Sequence, residues 1–66
     1  LRYFFHVAAP GQFYADGEGQ DFADPASAMN HGEKIAKELA AESGMNGFWI
    51  SVVDENGNEL GKVPIT

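Results

Sequence analysis

FWISVVDENGNELGKVPI, residues 48–65, holds two extended apolar segments around a reversal. Phe48 to Val53 is aromatic and β-branched, Leu60 to Ile65 returns with similar character, and Asn56-Gly57 between them matches the residue preference of a type I′ hairpin turn. Pro64 cannot donate to a ladder, so the returning strand is expected at a sheet edge or terminus.

The segment before this hairpin reads as a helix. Asp24-Pro25 pairs an N-capping carboxylate with the residue best tolerated in the first turn, and Gly44 suits a left-handed C-terminal cap, so a helix from Pro25 to Ser43 is predicted. Ala28, Gly32, Ile35, Ala36, Leu39 and Ser43 recur at three- and four-residue spacing, a narrow stripe of mostly small residues that permits close approach to a sheet. Ser27, Asn30, Lys34, Lys37, Glu38 and Glu42 lie opposite. Glu33 with Lys37 and Lys34 with Glu38 form i,i+4 pairs worth a few tenths of a kcal/mol each.

At the N-terminus, LRYFFHVA over Leu1 to Ala8 is a further strand, closed by the turn residues Pro10-Gly11. Tyr3, Phe5 and Val7 share one of its faces, and Phe4, His6 and Ala8 the other. Gly11 to Asp24 carries four acids and no cation and reads as a long loop, with room for a short strand around Gln20 to Ala23. The expected fold is α+β: one helix on a three- or four-stranded, mainly antiparallel sheet in a single small domain over residues 1–66. Its core is expected to comprise Phe5, Val7, Ile35, Leu39, Ile50, Val52 and Val63.

Sixty-six residues carry 4 Lys+Arg against 10 Asp+Glu, a net charge of −6, and no cysteine. A chain of this length buries only about 60% of its unfolded surface, which leaves a small core and little depth for a cleft. Without cysteine, a disulfide-stapled mini-protein, a cysteine zinc module and a thiol catalyst are excluded. The negative charge and the scattered cations Arg2, Lys34, Lys37 and Lys62 argue against direct nucleic-acid binding. No apolar run approaches the ~18 residues of a membrane span, and Leu1 to Ala9 lacks the form of a signal peptide, so no membrane partner and a cytoplasmic location are expected. A start at Leu1 rather than Met leaves room for trimmed residues ahead of it.

The motifs R-Y-F-F-H-V at Arg2 to Val7, D-x-E-G at Asp16 to Gly19 and I-x-V-x-D-E-x-G at Ile50 to Gly57 occur together and continue into Leu60 and V-P-I at Val63 to Ile65. In their order and spacing the chain resembles a small alphaproteobacterial, largely rhizobial, family of domains of unknown function that opens with an R-Y-F-F strand. The resemblance covers nearly the whole chain. It implies a small bacterial α+β domain and carries over no catalytic residues. Gln12-Phe13-Tyr14 is more aromatic than that family's first loop, and Pro25 stands where a larger apolar residue is usual. Gln20-Asp21-Phe22-Ala23-Asp24 ahead of a helix is also loosely similar to HicB-type antitoxins, though their proline- and glycine-containing segment before the helix is absent here.

Chemistry-bearing patterns are sparse. His6 and His31 are the only imidazoles, and neither has a histidine partner at helical spacing; a strand position beside Phe4 accounts for the first and a helix-face border for the second. Asp16, Glu18, Asp21 and Asp24 suggest a calcium loop, yet an EF-hand begun at Asp16 would place Asp21 where glycine is needed and Ser27 where the bidentate glutamate is needed. One begun at Asp54 fails in the same way at Glu59 and Ile65. Ser27, Ser43 and Ser51 lie outside G-x-S-x-G, and Gly17 to Phe22 lacks the last glycine of a phosphate loop. No catalytic residue, metal ligand or cofactor is therefore assigned, and a non-enzymatic interaction or assembly module is expected. An antitoxin-like regulator neutralising a basic partner and a cation-responsive module stand as alternatives.

Counting faces singles out one surface. If Phe5, Val7, Ile50 and Val52 meet the helix, then Phe4, Trp49 and Val53 face away from it. This predicts an interface centred on Trp49 and Phe4 with Val53, and with His6 at its rim, occupied by a second copy in a homodimer or by an unknown protein. The competing expectation is that Phe13, Tyr14 and Phe22 fold back from the long loop and close that face within the monomer.

Overall fold

The computed structural model describes residues 1–65, and for Ser43 the backbone alone, so the predicted place of the Ser43 side chain on the helix stripe lies outside the described residues. The element order is β1 (Arg2–Ala9), β2 (Gln12–Tyr14), β3 (Gln20–Asp21), α1 (Pro25–Ser43), β4 (Trp49–Asp54) and β5 (Glu59–Pro64). The strands form one sheet of five with spatial order β2-β1-β4-β5, and β3 also pairs with β1. Every pairing is antiparallel. The fold is α+β, with more strands than expected because the predicted loop over Gly11 to Asp24 contributes two.

Pro10-Gly11 explains the first of these. Pro10 supplies the negative φ of a turn's first central residue and Gly11, at φ 75°, the positive φ of its second, the type II pattern. Ala9 is thereby brought opposite Gln12, and the aromatic pair Phe13 and Tyr14 continues as a strand against Ala8 and Val7. β3 is shorter than the predicted Gln20 to Ala23 and pairs with Arg2 and Tyr3.

The helix follows its sequence signals. The Asp24 side chain accepts from the Ser27 N–H at 2.8 Å, and Gly44 takes the left-handed cap at φ 58°. Among the described residues the ion pair within 4 Å is Arg2–Asp21 at 3.4 Å. The helical pairs Glu33–Lys37 and Lys34–Glu38 do not close to that distance, in keeping with the small energy such exposed pairs contribute.

The β4–β5 turn differs from expectation. Among the described residues none but glycine has positive φ, so Asn56 does not adopt the type I′ conformation. Instead the Gly57 N–H donates to the Asp54 carbonyl, the Asp54 N–H donates to the Asn58 carbonyl, and Gly57 alone is left-handed at φ 86°. This is the three-residue loop of a type I turn followed by a left-handed glycine. The Asp54 carboxylate selects it by accepting from the Asn56 and Asn58 backbone N–H groups at 2.9 and 2.8 Å.

The core lies between α1 and one sheet face: Tyr3, Phe5, Ala28, Ala36, Ile50, Val52 and Ile65 are buried. Of the expected core, Phe5, Ile50 and Val52 are buried, the last two completely, whereas Val7, Ile35, Leu39 and Val63 are half-buried against them. A single helix covers the centre of a five-stranded sheet and leaves its margins wet. Small residues along α1 bring it close, and Gly32 passes directly over Val52.

Candidate functional site

The β1–β4 register sets Phe4 opposite Val53, His6 opposite Ser51 and Ala8 opposite Trp49. These six residues share the face turned away from α1. β2 extends it by placing Phe13 opposite Ala8, and β5 by placing Lys62 opposite Ser51. Phe4, His6, Trp49 and Val53, the residues singled out from sequence, thus sit together on one surface and are each half-buried. Ser51 and Ala8 beneath them are 7% exposed, screened by their larger neighbours.

The loop does not close this face. Phe13 is 62% exposed and lies 5.2 Å from the His6 ring, so it enlarges the apolar surface. Tyr14 falls on the other side, stacked at 6.5 Å on Phe48. Phe22 enters the core, 5.9 Å from Phe5 and 5.1 Å from His31. The turn around Gly19 lies against the Phe4 ring and shields that end alone. The expectation that the three loop aromatics fold over Trp49 is therefore overturned; alternation along short paired strands sends them to different faces.

Asp16 organises the rim, a role the sequence did not reveal. β2 and β3 pair with the two ends of β1, and the stretch between them would leave the Phe5 N–H without a ladder partner. The Asp16 carboxylate takes that donor at 3.2 Å and also accepts from the Glu18 and Gly19 N–H groups at 3.1 Å each. Burial pushes the Asp16 carboxyl up, but these three donors together with the nearby His6 ring outweigh it and hold the group below its ordinary value. The Asp16 backbone N–H donates to His6 Nδ1 at 2.9 Å. Neutral His6 therefore carries its proton on Nε2, the tautomer in which that nitrogen is a donor and not a base toward a neighbouring hydroxyl. The Ser51 hydroxyl donates to the Glu59 carboxylate instead. His6, Ser51 and Glu59 thus adjoin one another without the hydrogen-bond order of a nucleophile, base and acid.

Two concavities elsewhere on the described residues are small. A groove of about 210 Å³ between α1 and β5 is lined by Glu33, Ala36, Lys37, Val63 and Pro64. Another of about 230 Å³ beside Arg2, Tyr3, Asp54 and Glu55 opens at the acidic end of the sheet. Both are smaller than the ~300 Å³ at which small-molecule sites begin. Among the described residues no group of three or more His, Asp or Glu side chains converges to hold a metal ion. No described helix is long and apolar enough to cross a membrane.

An antiparallel sheet with one helix on one face and an aromatic second face defines a small α+β domain. The chain belongs to the family described as domain of unknown function (DUF6894), which matches residues 2–66. No curated protein matches the chain. No solved structure matches it.

Proposed function

We propose that this chain is a non-enzymatic protein-interaction module whose docking surface is the sheet face bearing Phe4, Trp49, Val53 and Phe13. The observation that carries the reading is the side on which the loop aromatics lie: Phe13 is 62% exposed on that face, while Tyr14 and Phe22 lie on the other and leave half-buried Trp49 without an aromatic lid from the loop. Contiguous aromatic surface on a small domain marks an interaction site, because leaving it in water costs about 25 cal/mol for each Å² that a partner would bury. Trp and Phe lose little side-chain entropy on binding and dominate interface energetics. The ordered His6–Asp16 rim holds one edge of the surface in place before any partner arrives.

Photo-crosslinking in the host tests this. A benzophenone side chain installed at Phe13 should give a discrete adduct, and the same group at Lys34, on the outer face of α1, should give none. Equal labelling from both positions, or no adduct from Phe13, refutes the reading.

A further inference from the structure

We infer that the cavity of about 230 Å³ at the start of β1, on the α1 side of the sheet, binds a primary alkylammonium group, with the Tyr3 hydroxyl and the Asp54 and Glu55 carboxylates as its acceptors. The site is independent of the docking surface, which lies on the other face of the sheet.

Tyr3 separates this cavity from an ordinary acidic surface. Its side chain is 2% exposed and packs in the core, 6.2 Å from the Phe22 ring. No side-chain hydrogen bond among the described residues includes its hydroxyl. Yet no side-chain nitrogen or oxygen among them is both sealed from solvent and without a partner. The hydroxyl therefore keeps a small opening to solvent, and the opening that Tyr3 borders is this cavity. A buried phenol ordinarily finds its partner within the protein; this one finds none there and is aimed into the cavity instead.

Strand register brings an acid beside it. The Phe22 N–H donates to the Leu1 carbonyl, which makes Leu1–Phe22 and, two residues on, Tyr3–Gln20 the hydrogen-bonded pairs of β1 with β3. The Tyr3 backbone thus turns toward β3, and its pairing with Asp54 on β4 is of the non-hydrogen-bonded kind, in which side chains stand closest. Asp54 Oδ1 takes the Asn56 and Asn58 backbone N–H groups, which fix the carboxylate. Oδ2 accepts the Asn58 side-chain amide alone, at 3.3 Å, and keeps capacity for a further donor. Glu55 is exposed at the mouth.

The local charges admit a cation. Among the described residues the ion pair within 4 Å is Arg2–Asp21, so neither Asp54 nor Glu55 has a cation beside it. Arg2 borders the cavity, but its guanidinium is held by Asp21 and the Glu18 carbonyl. The positive end of the α1 dipole is blunted here, because Pro25 has no N–H and the Asp24 carboxylate caps the Ser27 N–H. Three acceptors match the three donors of an ammonium. Leu1 and Pro25 supply apolar walls for its alkyl stem. The group comes from a lysine side chain of a protein or from a free aliphatic amine, which present the same ammonium.

NMR titration with n-butylammonium chloride, run against equal sodium chloride, tests the inference. The amide resonances of Tyr3, Asp54 and Glu55 should shift together and saturate with a Kd of about 1–10 mM. Uncharged 1-butanol should leave them in place. Tyr3→Phe deletes an oxygen that has no partner in the protein, so its Tm should equal or exceed that of wild type while n-butylammonium binds about tenfold more weakly. Glu55→Gln, at an exposed position, should weaken binding about two- to fivefold. Nα-acetyl-lysine methylamide separates the sources: saturation at the same resonances assigns the site to a lysine of a partner, and its exclusion while n-butylammonium binds assigns it to a free amine. No saturable shift by about 100 mM, equal shifts with 1-butanol, or a Tyr3→Phe protein that binds as well as wild type overturns the inference. A Tyr3→Phe protein that melts well below wild type overturns it too, by revealing an internal partner for the hydroxyl.

Discussion

Replacing Gly32 with alanine tests the seating of α1 on the sheet, because the expected sign is opposite to that at an exposed helical glycine. In a solvated helix interior Gly→Ala stabilises by about 1 kcal/mol. At Gly32 an ideal Cβ would stand 2.9 Å from Val52 Cγ2 and 3.7 Å from Phe5 Cδ2. Val52 is wholly buried, and its β-branched side chain has little rotamer freedom with which to give way. Overpacking of this kind costs about 1–3 kcal/mol, so after the helix-propensity gain the net loss is about 1 kcal/mol. In a domain of this size that lowers Tm by about 4–8 °C. Val52→Ala removes the obstructing methyl and alone opens a cavity, but combined with Gly32→Ala the new methyl fills part of it. The double variant should therefore be more stable than the sum of the single losses by about 1 kcal/mol. Urea denaturation of the four proteins measures the coupling. A Gly32→Ala protein that melts above wild type, with no coupling to Val52, would show that the helix does not cross the sheet at this point.

Ile50→Ala, at a fully enclosed position, should cost about 2–5 kcal/mol. Leu39→Ala should cost distinctly less because Leu39 is half-buried, and equal denaturant midpoints for the two would reject the assigned core. Asp16→Ala strands the N–H groups of Phe5, Glu18 and Gly19, an expected loss of about 2 kcal/mol with faster amide exchange at Phe5, since an unmet buried donor costs about 1–3 kcal/mol. Asp16, Asp24 and Asp54 are all held below the ordinary carboxylate value, Asp16 by backbone N–H groups that outweigh its burial, Asp24 first by Ser27 and Asp54 first by Asn58. A depressed folded value means that their stabilisation is complete above the ordinary value of about 4 and is lost as pH falls through the lowered ones; a thermal midpoint that rises below pH 4 would contradict this. Sodium chloride should raise Tm by screening the acidic end, whereas a rise seen with divalent cations alone would point to specific binding there.

The helix and the β4–β5 hairpin were legible because each is specified by neighbours in sequence. Asp24-Pro25 and Gly44 mark the helix bounds through their own backbone preferences, and the aromatic and β-branched residues of Trp49 to Val53 favour a strand whatever surrounds it. The turn type was not legible from Asn56-Gly57 alone, since Asp54, two residues earlier, captures the loop N–H groups and makes a longer reversal more favourable. β2 carried a usable signal: Pro10-Gly11 followed by Phe13-Tyr14 is turn chemistry followed by β-forming aromatics. The surrounding glycines and acids masked it. Asp16 gave no such signal, because it fills a gap in the β1 ladder that exists only once β2 and β3 have taken the two ends of that strand.

The open face follows from parity as much as from composition. A strand joined to β1 by a tight turn can extend the two faces of the sheet but cannot cross over either of them. Pairing Ala9 with Gln12 commits Phe13 to the Ala8 face and Tyr14 to the Val7 face, and pairing Tyr3 with Gln20 commits Phe22 to the side of α1. Closing the Trp49 face from within would require residues 12–14 to leave the ladder and traverse the sheet, giving up the β1–β2 hydrogen bonds that Pro10-Gly11 positions. The Asp16 carboxylate further ties the rest of the segment to the β1 edge through Phe5. The residues able to shield Trp49 are thus the ones that finish the sheet, and the exposed aromatic surface is a consequence of how the edge is completed.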